Sequence, residues 1–169
     1  MEEHISYYDS GQISTKCTMV DGKPQGKCLD YWENGGIKCQ FFFQKGVLDG
    51  AAIFYQEDGN ILQRTTFKNG KLCGRSLTYE NGDPIYLCSY KDGKLEGEAF
   101  SFSLKRIVQS RMRYKEGKLA GQCIFFNEHG NRAVEANYEN GKLHGQKITY
   151  YPNGLLMSNE FYEHGVKLE

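Results

Sequence analysis

Apolar side chains occupy alternate positions along this chain in short bursts, and the bursts recur. Counting from a repeated glycine, Leu29, Ile53, Leu77, Phe100, Ile124 and Ile148 stand at the third place. Tyr31, Tyr55, Tyr79, Phe102, Phe126 and Tyr150 stand at the fifth. Residues two apart project from one side of a strand, so each burst predicts a β-strand with one strongly apolar face. The other face is smaller and mixed: Cys28, Ala52, Ser76, Ala99, Cys123 and Lys147, then Asp30, Phe54, Thr78, Ser101, Phe125 and Thr149. Turn signals follow, among them Asn34-Gly35, Asp58-Gly59, Asn81-Gly82 and Asn153-Gly154, whose backbones tolerate positive φ. A second strand then runs to Met19, Phe43, Phe67, Tyr90, Tyr114, Tyr138 or Tyr162. Its alternate positions carry Lys16, Gln40, Arg64, Arg111, Arg113, Glu135 and Asn159. One face is expected to bury and the other to meet water.

Between hairpins stands Gly-Lys-Leu-x-Gly or a variant, opening at Gly22, Gly46, Gly70, Gly93, Gly117 and Gly141, with Gly165 continuing the series. The step is 24 residues, with one of 23 between Gly70 and Gly93. About seven successive hairpins of this kind predict an all-β, elongated and twisted antiparallel meander without helices, a single repeat domain over residues 1–167. Leu168-Glu169 resembles a cloning scar and is set aside. A single open sheet with no helices cannot cover its apolar face, so it must curl or pair with another molecule. The pattern breaks once. Where a turn is due, the chain reads Phe102-Ser103-Leu104-Lys105-Arg106-Ile107, without Gly, Asn or Asp, and Arg111 and Arg113 follow.

Composition narrows the partners. Lys plus Arg equal Asp plus Glu at 21 each, so no net field points to nucleic acid or an anionic membrane. No apolar run approaches the ~20 residues of a helical membrane span, and Met1-Glu2-Glu3-His4 does not read as a signal peptide; the expectation is a cytoplasmic protein. Six cysteines without Cys-x-x-Cys pairs are expected to be reduced thiols, mostly small apolar strand residues. Catalytic chemistry finds little support. His129, His144 and His164 all fall at turns; the last two lie one repeat apart on the same edge, yet turn histidines are ordinarily solvated, and no metal is expected. Cys73 is a turn residue, carboxylate pairs sit where solvent screens them, and the Gly-rich segments lack a P-loop ending. No cofactor and no enzyme activity are expected.

Tyr150-Tyr151-Pro152-Asn153-Gly154 and Glu139-Asn140-Gly141-Lys142-Leu143-His144-Gly145 resemble the MORN repeat, and more closely its bacterial variant, over nearly the whole chain. Eukaryotic MORN units place a further Gly two residues beyond the His-Gly, where this chain has Gly145-Gln146-Lys147. The resemblance to the variant implies a twisted antiparallel β-sheet and a binding role, for many members that of an antitoxin or immunity protein that silences a toxin. It brings no catalytic residues.

The residues themselves also favour binding. By strand alternation Trp32, Phe42, Phe54, Phe125, Tyr151 and Phe161 are expected on the face opposite the apolar rows, where aromatics with arginine suit an interaction surface. Arg64, Lys105, Arg106, Arg111 and Arg113 would add local positive charge for an acidic protein partner. The alternative is a structural scaffold, dimerising through its sheet edges, or a membrane-docking adaptor that works through those edges and exposed aromatics; of these partners a membrane is the less expected.

Overall fold

The computed structural model describes residues 1–169, and every regular element is a β-strand. The chain divides into two compact units, Met1–Gly82 and Asp83–Glu169. The first contains β1 (Glu2–Tyr7), β2 (Ile13–Val20), β3 (Lys23–Tyr31), β4 (Ile37–Gln44), β5 (Val47–Leu48), β6 (Gly50–Tyr55), β7 (Ile61–Lys68), β8 (Lys71–Leu72) and β9 (Gly74–Glu80). The second contains β10 (Asp83–Lys91), β11 (Lys94–Leu95), β12 (Gly97–Phe102), β13 (Val108–Lys115), β14 (Lys118–Leu119), β15 (Gly121–Phe126), β16 (Arg132–Glu139), β17 (Lys142–Tyr150), β18 (Leu156–Glu163) and β19 (Val166–Lys167). Within each unit strands pair antiparallel with their chain neighbours, and pairs such as β5 and β6 or β14 and β15 are two halves of one arm on the same partner. The all-β hairpin meander expected from the alternation is therefore the fold.

The recurring Gly-Lys-Leu-x-Gly has a structural reason. In Asn140-Gly141 both residues have positive φ, 51° and 84°, so the chain reverses within two residues. The Gly141 N–H then donates to the Leu119 carbonyl at 2.9 Å, and Gly117 and Gly165 do the same to Leu95 and Leu143 at 2.8 Å. In the N-terminal unit Gly46 and Gly70 reach Pro24 and Leu48. Each of these five turns is thereby bonded to the arm of the repeat before it. The x residue adds a second tie in some repeats: the Gln25, Asp49 and Glu96 side chains accept the backbone N–H of Lys45, Asn69 and Glu116, at 2.7, 3.2 and 2.8 Å.

The strand register corrects the expectation of one buried and one wet face. Phe43 stands opposite Gly26, Phe67 opposite Gly50, Tyr114 opposite Gly97, Tyr138 opposite Gly121 and Tyr162 opposite Gly145. A large ring thus faces the bare backbone of a glycine. Because Leu29 or Ile124 lies three residues beyond that glycine, the Leu/Ile rows and the Phe/Tyr rows fall on opposite faces. Both faces carry apolar rows, and most large side chains are only half-buried. The fully covered residues are the small ones between them: Cys28, Ala52, Ser76, Cys88, Ala99, Cys123 and Ala136 are all at most 2% exposed. In the N-terminal unit Phe41 meets Phe43 and Phe54 edge-on over this row, at 6.4 and 5.5 Å between centroids. The packing is aromatic rings around a seam of small residues, with no large central core.

Two further expectations are revised. Cys17 and Cys28 are not free thiols: β2 and β3 set them directly opposite, with Cα atoms 4.4 Å apart, and a disulfide joins them. Eleven residues separate them in sequence, and only the hairpin register reveals the pairing. Cys39, Cys88 and Cys123 are buried thiols whose pKa values burial raises, in keeping with small apolar strand residues. Nor does the turn at residues 103–107 abandon the repeat. Ser103 N–H donates to Ile107 O and Arg106 N–H to Ser103 O, both at 2.8 Å, the bonds that Asn127–Asn131 makes with glycine in place. Arg106 takes that glycine position at φ 60°. The shortened repeat is accounted for by Asn81-Gly82, a two-residue turn with both φ positive.

Candidate interaction surfaces

The aromatics expected on a single face are distributed otherwise. In the N-terminal unit Phe54 shares the face of Ala52 and is half-buried against Phe41. Phe42 stands opposite Lys27, on the face of Leu29, and is exposed. Trp32 lies beyond the register shift that ends β3, so alternation does not place it. The Lys38 ammonium sits 4.6 Å over its ring, and its indole Nε1 is buried without a partner. Arg64 is exposed between Ile53 and Leu77 on the neighbouring strands and makes no ion pair.

In the C-terminal unit half of the basic cluster is neutralised. Arg106 donates to Asp83 through Nε at 2.8 Å and Nη2 at 2.7 Å. Arg111 grips Glu98 through Nε at 3.0 Å and also through Nη2. Lys105 and Arg113 are exposed and unpaired. Solvent-exposed pairs of this kind are worth about 0–1 kcal/mol, so the stretch is an ordered surface of mixed charge more than a basic stripe. Phe125 is half-buried on the face of Cys123. Tyr151 and Phe161 are about half exposed.

The largest exposed apolar group lies in the β17–β18 hairpin. Tyr151, Leu155, Leu156, Met157 and Phe161 are 47–65% exposed there. Strand alternation selected Tyr151 and Phe161 but missed Leu155, Leu156 and Met157, whose consecutive apolar run at a turn was the available signal. Polar contacts fix this hairpin. Glu135, 9% exposed, accepts from Gln122, Arg132 and Tyr150 at 3.0, 2.8 and 3.0 Å; the bond to Glu135 raises the Tyr150 pKa. Glu160 accepts from Lys167 Nζ at 2.6 Å and Tyr162 OH at 3.0 Å, with Lys147 3.8 Å away. Lys167, then Tyr162, hold its carboxyl below the usual glutamate range.

Along the turn edge of the same unit runs an open groove of about 840 Å³, lined by Lys94, Lys115, Lys118, Tyr138, Glu139 and His144 among others. At its end the His144 and His164 rings are 5.1 Å apart between centroids, and His144 Nε2 is 3.7 Å from a Glu139 oxygen. One ligand atom from each of Glu139, His144 and His164 lies within 4.8 Å of the others. These three side chains bring two imidazoles and a carboxylate together at one exposed spot.

Fold and surfaces together define a β-repeat scaffold that presents side chains from turns, edges and an exposed apolar hairpin. Residues 48–69 match the family profile of the MORN repeat variant. They span the Leu48 arm, β6 and β7 through Asn69, most of one 24-residue step, and this segment is similar to a MORN-variant repeat. No curated protein matches. Among solved structures, a chain in the crystal structure of TcdB2-TccC3-Cdc42 is similar at 12% identity, over 94% of this chain and 12% of that one, with a TM-score of 0.25. This chain thus spans about an eighth of that chain's length, 12%.

Proposed function

We propose that the chain is a protein-recognition module, and that it acts as an antitoxin- or immunity-like protein that binds and neutralises a toxin. The exposed Tyr151, Leu155, Leu156, Met157 and Phe161 carry the recognition reading. Burying a large apolar side chain contributes about 1.5–3 kcal/mol, so a partner covering this hairpin would gain enough to offset association costs. The unpaired Arg113 and Lys105 lie in the same unit and would favour an acidic partner. The toxin is supplied by the resemblance to the variant repeats. Binding without turnover, in a cytoplasmic setting, completes the proposal.

Co-expression with a toxin encoded beside it tests this reading. Neutralisation restores growth and gives a stable complex on gel filtration, and Leu156→Ser with Phe161→Ser abolishes both. Growth arrest unaffected by co-expression removes the toxin reading. A complex that survives the double substitution but fails with Lys105, Arg106, Arg111 and Arg113 changed to Ala moves the surface to the turn at residues 103–107. A second reading, a scaffold assembling through sheet edges, draws on β1, whose strand partner is β2. Unpaired edges template association, and light scattering that shows a concentration-independent monomer excludes it.

A further inference from the structure

We propose that Glu139, His144 and His164 form a binding site for a borderline divalent transition-metal ion of the zinc class, one that fastens the β18–β19 hairpin to the arm of the preceding repeat. The repeat explains why these groups meet. The x residue of Gly-Lys-Leu-x-Gly lies beside the residue twenty places on, the one that enters the next turn. Gln25, Asp49 and Glu96 use this proximity to accept the backbone N–H of Lys45, Asn69 and Glu116. In the last copy the x residue is His144 and its neighbour twenty places on is His164. Imidazole meets imidazole, and Glu139, ending β16, supplies a carboxylate to the same spot.

Two features single out this copy. His144 Nδ1 is buried and has no hydrogen-bond partner, whereas its counterparts Gln25, Asp49 and Glu96 are all engaged. His164 also brings a second imidazole to a turn position that Lys45, Asn69, Asp92, Glu116 and Asn140 hold in earlier repeats at the same positive φ, and none of those offers an imidazole. Two imidazoles and one carboxylate are the ligand set of open zinc sites, with a fourth place left for water or a partner's side chain. Tetrahedral ligands stand about 3.3 Å apart around zinc. The 4.8 Å limit of the present spacing closes to that by rotation of side chains that solvent reaches. Imidazole donors select Zn²⁺, Ni²⁺ or Cu²⁺ over Mg²⁺ and Ca²⁺.

Earlier repeats also supply substitutions that the fold already accepts. Ala120 occupies the place of His144 and Asn140 that of His164, so His144→Ala and His164→Asn remove ligands without disturbing the turn. With the untagged chain, Zn²⁺ titrated by calorimetry is expected to bind one to one. Saturating Zn²⁺ is expected to raise Tm by about 3–6 °C and to slow amide exchange in β18 and β19, whereas Mg²⁺ does neither. In His144→Ala and His164→Asn the Zn²⁺-dependent shift disappears while the metal-free Tm stays near that of the parent. His129→Ala, in a turn outside the site, retains it. No saturable Zn²⁺ binding to the parent chain, or a shift that persists in both site variants, overturns the proposal.

Discussion

In β2–β3, Cys17 stands opposite Cys28; in β16–β17, Ala136 stands opposite Lys147. The partners are eleven residues apart in both pairs (28 − 17 and 147 − 136), and the register slips two residues later in each, at Met19 and at Tyr138. The backbone is the same and the chemistry is not. The first pair is closed covalently. The second buries Ala136 and leaves Lys147 reaching toward Glu160, 3.8 Å away, while Glu160 is held in turn by Lys167 and Tyr162. A repeat therefore fixes which side chains meet, and residue identity decides whether the meeting yields a bond, a seam of small residues or an ionic contact.

Cutting the covalent closure should have the largest effect. Cys17→Ser with Cys28→Ser, or reduction, frees a loop of about eleven residues and should destabilise the N-terminal unit by about 3 kcal/mol, read from urea unfolding with and without reductant. A change under about 0.5 kcal/mol would show that the bond adds nothing to what the register already holds. The converse graft, Ala136→Cys with Lys147→Cys in a Cys123→Ala background, should gain about 1–3 kcal/mol under oxidising conditions, since engineered bridges deliver less than loop entropy predicts. Failure of that bridge to form would mean that the two registers are not equivalent in space.

A smaller effect tests the turns that set register. Arg106 at φ 60° occupies the position of Gly130, and a non-glycine residue there is strained. Arg106→Gly should relieve that strain, lose the exposed pair with Asp83, and leave a net gain of about 0.5 kcal/mol in the unfolding free energy read from urea titration. A loss would assign Arg106 an importance in the fold that its geometry does not indicate.

The smallest concerns pH. Glu160 is held below its ordinary value of 4.5, first by Lys167 and then by Tyr162. A carboxyl lowered on folding contributes stability above its unfolded pKa and loses it as pH falls through the lower folded pKa. Amide protection in β18, taken relative to the intrinsic exchange rate at each pH, should therefore fall below about pH 4.5 as Glu160 protonates, and Glu160→Gln should flatten that dependence. A carboxyl titrating by NMR at or above 4.5 would show that the ionic closure is not formed.

Much of the fold is legible in the sequence. Gly-Lys-Leu-x-Gly at a step of 24, alternation at the third and fifth places, and Asn-Gly turns gave strands, hairpins and the absence of helices. These signals are local: alternation and positive φ are properties of a few consecutive residues. Candidate surfaces were legible only in part. Arg64 is exposed; Phe54 and Phe125 lie opposite the Leu/Ile rows but are half-buried there on the small-residue seam, and Phe42 falls on the Leu29 face, because facing depends on which residue of the next strand stands opposite.

Sequence by itself determined the element type, the repeat length and where the chain reverses, since each follows from backbone preference and spacing within one hairpin. Only the tertiary structure decided that Cys17 meets Cys28, that Arg106 meets Asp83, and that Glu139 and His144 meet His164. Those contacts join residues 5 to 25 places apart (144 − 139 and 164 − 139 for the metal cluster). They depend on register between strands and on the stacking of one turn on the next, and a shift of a single residue would send each of those side chains to the other face.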